Sequence, residues 1–230
     1  MHFQHAAALW RDFPALVPGV LYAEGITADA DPKTGPYEQA AQKRLAGGPE
    51  SELPEIQAWR RAFARMGLKP TQYRCAAESL LRRLRKEGSL PRLHPLVDLC
   101  NAVSLAFAVP VAVLDADQIA WPLEVRYAAG DEDYLTFGGE VEHPAPGEVI
   151  FADRSGQAHA RRWTNRQSGR SAVSPATSTV LIVAEALHEG AAMTIADLIE
   201  ALTAGIAKTW PVTPQTAILT AAGPRFTFGA

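Results

Sequence analysis

The chain has 230 residues, 47% hydrophobic and 20% charged, with a formal net charge of −3. That balance fits one large folded domain, with or without terminal extensions, and excludes a chain coated in basic charge or too polar to bury a core. An acidic average still leaves room for a basic stripe that binds phosphates. Cys75 and Cys100 lie far apart without CxxC spacing. This argues against a disulfide framework or a structural zinc and favours a reducing cytoplasm. Met1 to Ala6 lack a basic and then apolar leader pattern, and no apolar run reaches the roughly 18 residues of a membrane span. A soluble, unexported protein is expected.

Residues 9–28 carry the apolar run Leu16-Val17-Pro18-Gly19-Val20-Leu21-Tyr22, read as two short strands or one kinked strand. Tyr37 to Leu45 is read as a helix. Leu53 to Met66 has helical spacing in Ile56, Trp59, Phe63 and Met66, with Gly67 placed to end it. Ser79 to Lys86 is a second, basic helical run, and Leu93 to Phe107 is apolar enough for a core helix. From Val111 the period changes to short strands at 111–115, 123–127, 134–137 and 149–152, with Gly138-Gly139 as a hairpin turn. Val180 to Glu185 is the most strand-like run and is expected at the centre of a sheet. Ala191 to Lys208 returns to helix, and a last strand is expected near 216–220. The sum is α+β: a mostly antiparallel sheet packed with helices.

Chemistry concentrates in Arg161-Arg162-Trp163-Thr164-Asn165-Arg166-Gln167-Ser168-Gly169-Arg170-Ser171. Arginine forks suit phosphates and carboxylates and stack on rings. The run is either a local site for an anionic or polar ligand or a hairpin whose arginines only face water. The stretch from Arg60 to Arg92 is similarly two-sided. Its basic excess suits RNA, and it equally suits the wet faces of two amphipathic helices. His94 and Asp98 stand four apart with Asn101 three further on, forming either a substrate-orienting strip or helix-start caps. Cys100 is expected buried and inert, and Cys75, beside Arg74, is a weak thiol candidate. Glu185 either projects into a pocket or pairs with an arginine. The chain carries no GxSxG elbow, Walker loop, HExxH or GxGxxG.

The order of motifs adds to this. Arg92 to Asn101, with Val97-Asp98 and Asn101, resembles the "R-x-x-N-x-V-D-x-x-N" segment of phenylalanyl-tRNA synthetase beta subunits. Pro110 to Ile119 is similar to the "P-x-H-A-F-D-x-D-K-I" that follows it. The Gly138-Gly139 turn, Val149 to Asp153, Ser171-Ala172-Val173, Thr177 and Val180-Leu181 continue the order. Together, over about residues 70–190, they resemble the tRNA-editing B3/B4 domain, here freestanding. The arginine-rich run resembles the freestanding branch of that family. Two positions depart: the editing histidine falls on Ala112, and the glutamate of "G-G-E-x-S-x-V" falls on Gly169.

The resemblance implies a B3/B4-like fold over 70–190, with 1–69 as an N-terminal extension packed on it and 191–230 as a C-terminal helix and tail. It implies a trans-acting hydrolase of mischarged aminoacyl-tRNA, with the aminoacylated 3′ end of tRNA as partner. No cofactor, metal, DNA or membrane is expected. Gln167, Ser168 and Arg166 are the expected catalytic residues. Asp98, Asn101, Arg161, Arg162 and Trp163 would bind substrate, Trp163 either stacking on a terminal base or serving the core, and Arg82, Arg83 and Arg85 would guide RNA. The alternative is a non-catalytic module that captures a tRNA end, an amino acid or a similar small molecule.

Overall fold

Two sheets organise the computed structural model, which describes residues 1–229. In chain order the elements are β1 (His2–His5), α1 (Ala7–Asp12), β2 (Val17–Glu24), α2 (Gly35–Leu45), α3 (Pro54–Arg65) and α4 (Ala76–Glu87). Then follow α5 (Pro95–Phe107), β3 (Val111–Asp115), β4 (Leu123–Tyr127), β5 (Tyr134–Leu135), β6 (Val141–Glu142) and β7 (Val149–Asp153). The last are β8 (Ala158–Arg161), β9 (Arg166–Gln167), β10 (Thr179–Ala186), α6 (Ala191–Thr209), β11 (Gln215–Ile218) and β12 (Arg225–Thr227). One sheet has the order β12-β1-β4-β7-β8-β9 and the other β11-β2-β10-β3, with β5-β6 as a separate hairpin. Among the described residues all pairings between these strands are antiparallel except β1 with β4. The fold is α+β.

Strand β10 shows why the sheet holds. Side chains alternate across a strand, so Leu181 and Val183 face one core while Val180, Ile182 and Ala184 face another. Val180 and Ile182 meet Leu99 and Val103 of α5 and Ile195, Leu198 and Leu202 of α6. On the other face lie Trp59 and Phe63 of α3, Leu81 of α4 and Phe151 and Val125 of the six-stranded sheet. A strand buried on both sides reads as an unbroken apolar run, as expected for 180–185. Gly19 of β2 lets α6 sit close, because a Cβ there would come within 2.6 Å of both Ile195 and Ile199.

Several expectations shift. Residues 9–12, at the start of the stretch 9–28 read as strand, belong to the short helix α1. β1 and β12 were not foreseen, and β8 and β9 match only the hairpin alternative for the arginine run, because His-Phe-Gln-His, Arg-Phe-Thr, Ala-His-Ala-Arg and Arg-Gln lack the β-branched density that marks a strand. The expected segments 1–69, 70–190 and 191–230 share both sheets: β1 sits between β12 and β4, and β2 between β11 and β10. No helix is long and apolar enough to cross a membrane among the described residues.

Candidate functional site

The arginine run leaves β8, turns at Arg162 and Trp163, and returns as β9. Both turn residues have left-handed backbone, at φ 48° and 57°, a conformation costing about 1 kcal/mol or more per non-glycine residue. Surrounding bonds hold it. Trp163 N–H donates to Val149 O at 2.7 Å, and Arg162 N–H to Glu148 Oε1 at 2.8 Å. The Trp163 ring is fully buried, edge-on to Trp59 at 5.0 Å and to Phe13 at 4.9 Å. It is a core residue, the second of the two roles weighed for it, and so does not stack on a base.

Arg161 is also inward. It donates to both oxygens of Glu148 at 2.9 Å and to Glu142 at 2.5 Å, with its guanidinium over the Tyr134 ring. Burial raises the Glu148 pKa, but the Arg161 fork outweighs it and holds the carboxylate below its ordinary range. A side chain so committed braces the turn and does not reach a ligand. Arg162 lies over Tyr73 at 4.8 Å. Arg166 stays on the surface, over Tyr134 and at 3.3 Å from Glu142.

Gln167 is where the surface opens. It lines three concavities at once. The most enclosed, about 60 Å³, lies between β3, β10 and the β8–β9 turn, with Ala112, Phe151, Trp163, Val183 and Glu185 in its wall. A cleft of about 360 Å³ runs over the start of α5, lined by Leu93, His94, Asn101, Phe137 and Val173. A shallower dish of about 420 Å³ carries Tyr134, Phe137, Glu140, Glu142 and Arg166. Gln167 Nε2 donates to Val113 O at 2.7 Å, so one amide hydrogen fixes the side chain while the other and Oε1 remain for a ligand.

Phe137 rises at the tip of the β5–β6 hairpin, 74% exposed, between cleft and dish. The Thr136 hydroxyl accepts from Glu140 N–H at 3.1 Å and fixes the turn that Gly138-Gly139 makes. Ser168, by contrast, is fully buried: its hydroxyl donates to Leu135 O at 2.9 Å and accepts from Arg170 N–H at 3.2 Å. It ties the hairpin to the segment after β9, which corrects its expected catalytic role.

The α5 strip divides. His94 caps the helix, its Nδ1 accepting from Leu96 N–H at 3.2 Å, and Asp98 accepts from Leu93 N–H at 2.9 Å. Burial lowers the His94 pKa against the pull of Asp98, so the ring stays neutral near pH 7. Of the strip, Asn101 and His94 line the cleft. Burial pushes the Cys75 thiol up to about 12 and Cys100 higher still, which removes both as nucleophiles. Deeper in, His159 bridges Asp153 at 3.2 Å and Ser171 at 2.9 Å. The order mimics a serine triad, but Ser171 is fully buried and its hydroxyl serves the packing.

The sequence model of the B3/4 domain matches residues 58–200, more than half of the chain. The chain belongs to the B3/4 domain family. The Phenylalanine--tRNA ligase beta subunit of Mannheimia succiniciproducens is 31% identical over 74 residues, which cover 32% of this B3/4 protein and 9% of that relative. The same subunit of Haemophilus influenzae is 28% identical over 74 residues, with the same shares. The aligned stretch is thus under a tenth of the length of these relatives. An N-terminal fragment of the phenylalanyl-tRNA synthetase beta-subunit from Pyrococcus horikoshii superposes with a TM-score of 0.47 at 10% identity, over 92% of this chain and 49% of that one.

In this B3/4 protein the two departing positions have structural consequences. Ala112 opens the enclosed cavity. Gly169 packs under the hairpin, where a Cβ would stand 3.0 Å from Thr136 O. A larger residue there would press on the backbone that carries Phe137.

The basic helices are less bare than their sequence. Arg60 and Arg74 face Glu78, Arg83 pairs with Glu87 at 2.8 Å, and Arg82 and Arg85 converge on Glu50. Glu50 comes from outside the basic stretch, so counting charges within it could not reveal this neutralisation. Arg170, next to the hairpin, is exposed and has no carboxylate partner among the described residues. Among the described residues no group of three or more His, Cys, Asp or Glu could hold a metal.

Proposed function

We propose that this B3/4 protein acts in trans on aminoacyl-tRNA and hydrolyses the ester at its 3′ end. The observation that carries the reading is the position of Gln167, fixed by Val113 O and shared by an enclosed cavity, an apolar cleft and a shallow dish that carries Arg166 beside Glu140 and Glu142. An aminoacyl ester is already activated, so its hydrolysis asks for an oriented water and a donor for the developing oxyanion. Gln167 can supply both, with Oε1 to the water and its remaining amide hydrogen to the oxyanion. Water adds to the ester carbonyl, the C–O bond to ribose breaks, and the proton passes to the leaving 3′ oxygen. Free amino acid and uncharged tRNA result.

Arg166 and Arg170 contact backbone phosphates in this reading, and Asn101 binds polar groups in the cleft. Phe137 takes the stacking role expected of Trp163, because an exposed ring at the rim offers a base the face that a core ring cannot. Family membership and the similarity to subunits of a phenylalanine–tRNA ligase support a tRNA end as ligand. Two buried thiols suit a reducing cytoplasm.

The second reading is a binding module without catalysis, favoured by alanine at 112 and glycine at 169 where the resemblance expects histidine and glutamate. Purified protein assayed against tRNAs carrying different amino acids, matched and mismatched, decides between them. A hydrolase releases amino acid over many turnovers, and Gln167→Ala lowers the rate about 10-fold or more with the melting temperature unchanged. A chain that binds charged tRNA while leaving every ester intact is a module.

A further inference from the structure

The enclosed cavity contains a buried carboxylate that the reading above does not use. Glu185, near the end of β10, is 1% exposed. Its Oε1 accepts from His5 Nε2 at 2.7 Å and from Trp163 Nε1 at 2.9 Å. No donor reaches Oε2 among the described residues, and the ion-pair partner of Glu185 is His5, a cation only when its ring is protonated; no arginine or lysine pairs with Glu185, which lines the cavity. Burying an anion is expensive unless it is matched by a cation, and two donors on one oxygen match only half of it. The rest of the wall is mainly apolar, with Ala112, Phe151 and Val183 beside Arg166 and Gln167, and the low polarity strengthens the attraction between Glu185 and a cation that reaches it.

We propose that Glu185 receives the α-ammonium group of the aminoacyl moiety in this cavity, with Gln167 at its mouth facing the ester. The proposal rests on the aminoacyl-tRNA reading and names the recognition element within it. Geometry supports the assignment: His5 and Trp163 fix the carboxylate on one edge, leaving the other toward the space that Ala112 opens. A primary ammonium brings donors and a full positive charge, the complement of an unpaired carboxylate oxygen. Free amino acid, or any acyl group without the amine, lacks either the ester or the cation.

Calorimetric titration with non-hydrolysable probes tests this. Each 3′-aminoacylamino-3′-deoxyadenosine, carrying alanyl, seryl or phenylalanyl, is paired with the same compound bearing hydrogen in place of the α-amino group. At about pH 6 the α-amine keeps its proton, since it titrates at roughly 8. At least one amino probe should bind about tenfold or more tightly than its partner. Glu185→Gln, which keeps an acceptor for His5 and Trp163, should erase that preference. Ala112→Leu, which narrows the cavity and leaves the carboxylate in place, should weaken the amino probe as well. Equal affinity within every pair, no binding of any amino probe, or a preference that survives Glu185→Gln overturns the proposal. If Glu185→Gln does not fold by circular dichroism, the wild-type pairs and Ala112→Leu decide. Deacylation of charged tRNA, run alongside, separates the two ideas. Hydrolysis without amine preference removes the ammonium site alone, and amine preference without hydrolysis removes the hydrolase alone.

Discussion

Arg161 shows how a residue type can be legible while its task is not. A fork of donors in a polar run suggested a ligand, but two glutamates from the chain itself, Glu142 and Glu148, fill it. Removing one partner from such a buried pair leaves an unmatched charge. Arg161→Ala should therefore cost about 3–5 kcal/mol in urea unfolding, far more than Arg166→Ala at the surface. Asp153 behaves differently with pH. Burial raises its pKa, but donors from His159, Gln157, Ala120 and Ser155 outweigh burial and hold the carboxyl well below the usual range. A depressed folded pKa contributes stability above the unfolded value near 4 and loses it as pH falls further. The melting temperatures of wild type and Asp153→Asn should differ most near neutrality and converge below about pH 4.

Elements with strong apolar spacing were readable from sequence alone. α3 was expected over Leu53 to Met66 and spans Pro54–Arg65, and β10 was expected over 180–185 and spans Thr179–Ala186. Strands β1 and β12 were invisible because they are held by neighbours brought from the far end of the chain, not by their own composition. Close packing of elements also left little trace: Gly19 looked like a breaker in a strand, whereas it is the flat place on which α6 rests. Gly19→Ala should destabilise by about 1–3 kcal/mol, seen as a lower urea midpoint with an unchanged slope. The site followed the same division. Arg166 and Gln167 stood out in the run, whereas Phe137 needed the hairpin to gain meaning. Glu185 was open between a pocket and an arginine, and the fold gives it a cavity with His5 and Trp163 as partners.

At the scale of the molecule, the family match at 58–200 does not mark a free-standing unit. β1, β2, β11 and β12 all lie outside it, and two of them occupy interior positions in the sheets. A fragment limited to 58–200 exposes the edges of β10 and β4, and its proton spectrum should show no dispersed methyl signals. A folded fragment would mean that β3 and β10 hold together without β2. The β10 carboxylate has an optical consequence too. Trp163 donates its indole N–H to Glu185 and stands 5.0 Å from the Trp59 ring, so a charge arriving at Glu185 changes the field across two coupled chromophores. Excitation at the tryptophan band should therefore register occupancy of the cavity as a displaced emission maximum, and the protein becomes its own dye.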